Sequence, residues 1–371
     1  MNSRPSARHK RRKAARQPEE EFVKHHRDKG HYGGGVEDGL TPLQPLDPRA
    51  ATSVDALVRA MSNTAFGGRR LGEAADVLEA MVRDRDCFRV VTVSGAMTIA
   101  KQGLVLVEMI ERGWVQAIVS TGALMTHGLS EGAGLLHFKH RPSMDDTVLY
   151  EKGYNRVYDT IELEQNLDDV EGILEEALAD LPEDVTLSSH LICERLGRTL
   201  EKSGAERAIL KSAFQRKVPV FVPAFTDSEL GLDVAIYNRL RVRGGKPAVP
   251  FNPYLDLEAF TDLVRAHETL GIFTIGGGVP RNWAQQVGPY LEISRGRIGA
   301  QEPVRRYKYA VRICPEPDHW GGLSGCSYTE GVSWGKFVPE SEGGRFAEVP
   351  VDATIGWPLV VRAVMERMGA S

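Results

Sequence analysis

The chain repeats one local pattern: a short run of β-branched and apolar residues that ends in small residues and gives way to helical periodicity. "FRVVTVSGA" is the first such strand, and "MTIAKQGLVLVEMIERG" after it reads as a helix closed by Gly113. "VQAIVSTGA" repeats strand, small-residue turn and helix. "VPVFVPAFTDSELG" is a third strand running into a polar turn, "LGIFTIGGGVPRNW" a fourth, and "YKYAVRI" a fifth. Strands without clean polar alternation, separated by helices, belong in an open parallel sheet covered on both faces. "NLDDVEGILEEALADL" and "SSHLICERLGRTLEKS" are amphipathic helices between the second and third strands, and their apolar residues read as core.

Composition adds exclusions. The chain is 42% apolar and 26% charged, as a soluble globular protein is. Apolar runs such as "GLVLVEMI" stop short of the roughly 18 residues a membrane helix needs. The N-terminus is polar and basic, without the apolar segment of a secretory signal. Cys87, Cys193, Cys314 and Cys326 show neither paired metal spacing nor a disulfide framework, so a reducing cytoplasm and no metal site are expected. Residues 1–17 carry seven Lys or Arg and no acid, which leaves the rest at −11 against −4 overall. That tail can touch nucleic acid or an acidic surface, or serve only as a solubilising arm. The acidic remainder suits a cationic substrate rather than a nucleic acid. Residues 1–50, rich in Gly and Pro, read as a tail or wrapping arm, and 51–371 as one catalytic domain.

Three strand ends offer small residues where a helix begins: Ser94-Gly95-Ala96, Ser120-Thr121-Gly122-Ala123 and Gly276-Gly277-Gly278. In open α/β sheets ligands bind beyond the carboxyl ends of strands, and glycines there let the backbone approach a pyrophosphate at a helix N-terminus. None fits GxGxxG, and a tight turn made for packing alone is the alternative for any single one; the three together point to a dinucleotide. In "TDSELG", Thr226 and Glu229 match a capping pair as well as a substrate contact. Asp352 in "PVDATIGWPL" can cap the last helix or hold a cofactor hydroxyl. If "EGVSWGKF" is extended, Glu330, Val332, Trp334 and Lys336 share one side, lining a wall with a carboxylate, an indole and an amine.

In order, these stretches resemble the deoxyhypusine synthase family from about Phe88 to the C-terminus, most sharply at "GVSWGK", which surrounds that family's catalytic lysine. The resemblance implies a Rossmann-like NAD-binding fold and an NAD-dependent transfer. In it a polyamine such as spermidine is oxidised, its imine carbon is captured by the lysine, and a second amine takes the aminobutyl group. It also implies a homotetramer with sites at subunit interfaces. Lys336 matches the nucleophile, Glu330 the carboxylate that binds the polyamine, and Trp334 the indole against its methylenes. The nicotinamide cofactor would contact Ser94, Thr121, Gly122, Ala123, Asp227, Gly277, Gly278, Asp352 and Ala353. A nucleophilic lysine must be neutral, and bringing its pKa from ~10.4 to about 7–8 takes burial or a neighbouring cation, about 4 kcal/mol.

Departures cluster at the substrate end. Thr126-His127 stand where the family's synthases carry two glutamates, and Asn282 where they carry a catalytic histidine. Leu232 and Leu323 occupy aspartate positions, with Asp233 one place after the first. Each carboxylate facing a buried ammonium contributes about 1.5–3 kcal/mol, so their loss changes which amine can bind. His127 is a candidate for the missing proton shuttle, with His319 and Asp318 as further candidates, and Asp233 and Asn282 for substrate contacts. Three readings follow: an amine transferase whose acceptor is a free diamine, as in homospermidine synthase; a deoxyhypusine synthase acting on a translation-factor lysine; or an NAD-binding partner subunit of weak activity.

Overall fold

A computed structural model describes residues 29–369. The chain divides into two compact units, one ending at Leu43 and one running from Gln44. In the first, the described residues make a 3-10 turn at Lys29–His31 and tight turns around Gly35 and Gly39. The basic stretch 1–17 lies outside the described residues.

The second unit contains the strands β1 (Cys87–Val93), β2 (Ala117–Ser120), β3 (Phe138–Lys139), β4 (Tyr154–Val157), β5 (Thr160–Leu163), β6 (Val220–Phe221), β7 (Thr269–Ile275), β8 (Tyr307–Ile313) and β9 (Arg345–Val349). Six form a parallel sheet in the order β6-β2-β1-β7-β8-β9. The others form a small antiparallel sheet, β3-β5-β4. The chain steps outward from β1 through β2 to β6, then restarts at β7 on the other side of β1. That reversal leaves a topological switch point between the carboxyl ends of β1 and β7, where α/β sheets open a crevice.

Side chains alternate between two cores. Val91 and Val93 join Phe273 and Ile275 in one apolar cluster, which the helices Phe66–Arg83, Gly103–Glu111 and Ala353–Arg367 cover. Val90 joins Leu270 and Ile272 in the other, beneath the helices Tyr254–Arg265 and Gly278–Gln285. Because both faces are covered, the strands carry apolar residues on both sides and read as continuous runs. The buried hydroxyls of Thr92 and Thr274 satisfy each other at 2.9 Å.

The expected open parallel α/β sheet is therefore present. Two local expectations need correction. The helix read from Met97 begins only at Gly103, after a run of turns in which Lys101 takes a positive φ of 59°. The third strand shrinks to Val220–Phe221, at the sheet edge. β9 is the strand that leads to Asp352, and the antiparallel sheet is an addition to the expected set.

Candidate active site

Glu330–Phe337 is not extended. Tyr328–Ser333 is a short helix whose N-cap, Ser327, accepts a hydrogen bond from Glu330 N at 3.1 Å. The single wall expected from extended alternation is replaced by i,i+4 spacing, which sets Glu330 and Trp334 on one helix face. Gly335, at φ +70°, then turns the chain, and Lys336 N returns to Gly331 O at 3.1 Å. Glycine makes that left-handed turn without the Cβ penalty. Next to it Phe337 is fully buried against Tyr307, Tyr328 and Phe346. Tyr307 N donates to Lys336 O at 2.9 Å, so the lysine's backbone is held on both sides.

The Lys336 side chain enters a cavity of about 180 Å³ that Asn282, Glu330, Trp334, Cys326 and Leu323 also line. Four residues chosen from sequence, Lys336, Glu330, Trp334 and Asn282, thus meet in one place. Nζ donates to Asn282 Oδ1 at 3.1 Å and lies 5.9 Å from the centre of the Trp334 ring. The indole itself is 64% exposed. Burial, and after it the Arg281 guanidinium, hold the Lys336 pKa below the ordinary lysine value. Asn282 offers a hydrogen-bond acceptor without the counter-charge that would reverse this effect.

Arg281 and Arg312, outside the expected set, build the frame. Arg281 is 2% exposed, donates to the carbonyls of Ser324 (3.2 Å) and Cys326, and lies 5.1 Å over the Tyr328 ring. Arg312 donates to the same two carbonyls and pairs with Glu348. Glu348 in turn accepts from Tyr328 N at 2.8 Å. Together they pin the segment that caps the lysine's helix. Their sequence contexts, a glycine-rich turn and an apolar strand, carry no spacing that signals buried cations.

The cofactor candidates all lie at the carboxyl edge of the parallel sheet, following β1, β2, β6, β7 and β9. Ser94 Oγ accepts from Gly277 N at 2.8 Å across the switch point. Thr121 caps the helix Gly122–Gly132 and donates to Gly95 O at 3.1 Å, linking the ends of β2 and β1. Ser228, rather than Thr226, caps the helix that begins at Glu229; Asp227 beside it is exposed. Asp352 caps the helix that begins at Ala353, accepting from Thr354 N at 2.7 Å.

The remaining candidates sit apart from the lysine cavity. Thr126 is buried and structural, donating to Gly122 O and accepting from Leu230 N. His127 Nδ1 lies 2.5 Å from Glu162 Oε2, and His137 Nε2 lies 3.2 Å from Glu162 Oε1. Burial alone would raise the Glu162 pKa, but the two histidines outweigh it and hold the carboxyl well below its usual range. Asp233, 8% exposed, has one carboxylate oxygen without a partner. Burial first, then Glu229, Glu171 and Asp168, push its pKa up to about 7. His319 and Asp318 are largely exposed and 3.9 Å apart.

The family model described as deoxyhypusine synthase matches residues 56–364. The chain belongs to the deoxyhypusine synthase family. It is 33% identical over 327 residues to "Probable deoxyhypusine synthase 2" of Methanosarcina acetivorans, covering 88% of this chain and 90% of that one. It is 31% identical over 313 residues to "Deoxyhypusine synthase-like protein" of Chlorobaculum parvum, covering 83% and 85%. A crystal structure from Entamoeba histolytica, described as a candidate deoxyhypusine synthase, shares the fold with TM-score 0.56 at 12% identity, covering 86% of this chain and 96% of that one. The family's reaction is an NAD-dependent aminobutyl transfer.

The sheet edge fits such a cofactor. A Cβ built on Gly95 or Gly278 would meet no atom closer than 3.9 Å, so these two glycines face open space, whereas one on Gly276 or Gly277 would run into Ser94 or Ser324. Helices opening at Gly122, Gly278 and Ala353 present N-terminal N–H groups at this edge, which suits a pyrophosphate.

Proposed function

We propose that the chain is an amine transferase in which Lys336 carries the transferred group as an imine, with a small free diamine as acceptor. The observation that carries this reading is a lysine amine half-buried beside a buried arginine, hydrogen-bonded to a neutral amide. Such a lysine is neutral, and therefore nucleophilic, at lower pH than an exposed one.

NAD, held by Ser94, Thr121, Gly122, Ala123, Asp227, Gly277, Gly278, Asp352 and Ala353, would supply hydride removal and return at the amine-bearing carbon. Lys336 Nζ adds to the electrophilic carbon of the donor imine and expels the donor's other amine, leaving a C4 lysine imine. Attack by the acceptor amine on that carbon releases Lys336. Asn282 Oδ1 orients Nζ, Glu330 binds an ammonium, and the Trp334 face packs on the methylenes and attracts the cation.

Support for an acceptor other than a protein lysine comes from the lost carboxylates. Leu323 lines the cavity, Leu232 is exposed, and Thr126 is turned into the helix core. Glu330 is then the carboxylate of the lysine cavity, enough for one ammonium rather than a fully charged polyamine. Trp334 at 64% and Leu323 at 46% exposure leave this cavity apolar at its mouth, which supports closure by a second copy in a homotetramer. Four free cysteines, three of them buried, support a cytoplasmic location.

The test is to incubate the protein with NAD and, separately, spermidine, putrescine and agmatine, to add borohydride, and to weigh the peptide containing Lys336. A reduced C4-amine adduct, absent in Lys336→Ala, is the expected result, and diamines should then discharge it. No adduct with any amine, while NAD binds, overturns the reading.

A further inference from the structure

A second cluster of chemistry-bearing side chains lies outside the lysine cavity. His127 comes from the helix Gly122–Gly132, His137 from the segment before β3, and Glu162 from β5. One donor atom from each lies within 4.8 Å of the others. The side chains of His137 and Glu162 are each 1% exposed and that of His127 17%, so three polar groups converge where water scarcely reaches. We propose that His127, His137 and Glu162 form a binding site for one divalent first-row metal ion of the zinc class.

The donor set selects the ion. Two imidazoles and one carboxylate suit zinc and its neighbours, whereas magnesium and calcium take oxygen ligands. Geometry supplies a second argument. His127 Nδ1 and His137 Nε2 are buried and lack a hydrogen-bond partner, although each lies close to Glu162. The short contacts bring the atoms together without the directed N–H geometry that satisfies a buried imidazole. Ligands about 2.1 Å from a tetrahedral ion stand about 3.4 Å apart. The 3.2 Å separation is close to that value, while the 2.5 Å one is shorter by about 0.9 Å, so His127 must draw back from Glu162 to admit the ion.

The carboxylate is held as a ligand would be. Ser130 Oγ donates to Glu162 Oε1 at 3.0 Å, fixing the carboxylate and leaving Oε2 toward His127. Lys101 Nζ contacts His137 Nδ1 at 2.7 Å. With a metal on Nε2, the His137 proton passes from Nε2 to Nδ1 by way of solvent, and Lys101 turns to Glu131, already 3.7 Å away. His137 and Lys101 also line a surface cavity of about 1040 Å³ that reaches Asp352, so one of the three ligands borders a route by which an ion can enter.

The experiment uses the untagged full chain, expressed in zinc-supplemented medium and dialysed, with metal measured by mass spectrometry. About one equivalent of zinc per chain is expected, falling at least about tenfold in His137→Ala and in His127→Ala. Adding zinc to chelator-stripped protein should raise its melting temperature by about 3 °C or more, and should leave His127→Ala unmoved. Cobalt(II) loaded in place of zinc should give visible absorption that disappears in the same variants. His127 is the most exposed of the three, so its variant keeps the test valid if the other fails to fold. Stripped protein that neither takes up zinc nor shifts in melting, or zinc retained in both variants, overturns the site.

Discussion

Lys336 and Glu162 each keep an ionisable group out of water, and their surroundings drive them in opposite directions. The lysine is given an amide for a partner and an arginine for a neighbour, so burial prevails and the charge is discouraged. The glutamate is given two imidazoles and a serine hydroxyl, so burial is overridden and the charge is kept. Asp233 resembles the lysine in this respect: its neighbours Glu229, Glu171 and Asp168 share its sign, and its charge is discouraged as well. The identity of the neighbour, more than depth of burial, decides whether a group is poised to react or locked as an ion.

Four changes break or sharpen that contrast. Lys336→Ala should abolish the borohydride-trapped adduct while NAD binding, followed by fluorescence titration, persists. Glu162→Ala leaves two buried imidazoles without their carboxylate and should cost about 3 kcal/mol, read by urea unfolding. Asn282→Asp puts a carboxylate in hydrogen-bond contact with Lys336, closer than Glu330. Its pKa should rise by about one unit and adduct formation near pH 7 should fall about tenfold, recovering at higher pH; an unchanged pH profile would sever the link between Asn282 and the amine.

The smallest effect belongs to Asp233→Asn, measured in the absence of amines. The folded-state pKa of Asp233 is raised to about 7, so the stability tied to its protonated form is full below the ordinary carboxylate value and is lost as pH rises through about 7. The asparagine variant should therefore gain on the order of 1 kcal/mol at pH 8 and almost nothing at pH 4. Equal gains at both values would show that the carboxylate is not the source of the strain.

The legible parts of the molecule are those that a local rule governs. β1, β2, β7 and β8 announce themselves because burial on both faces demands continuous apolar residues, and the strand-end turns follow from sheet polarity. The hairpin of β4 and β5 stays hidden because Tyr158, at φ +54°, turns it without an Asn-Gly signal. Glu330 to Lys336 misleads for a related reason. Alternation and i,i+4 spacing both place Glu330 and Trp334 together, and only the Ser327 cap and the Gly335 turn separate the two readings. Arg281, Arg312 and Glu162 escape notice because charged residues read as surface until a partner, distant in sequence, is known.

The anchoring of Lys336 between Gly331 and Tyr307, with Phe337 driven into an aromatic cluster, has a mechanical consequence. A backbone tied in this way cannot travel toward a substrate unless Phe337 leaves its pocket. What can move is the side chain, once Nζ leaves Asn282 Oδ1. The position of the amine in the cavity is then set by the lysine's own torsions and not by movement of the loop that carries it.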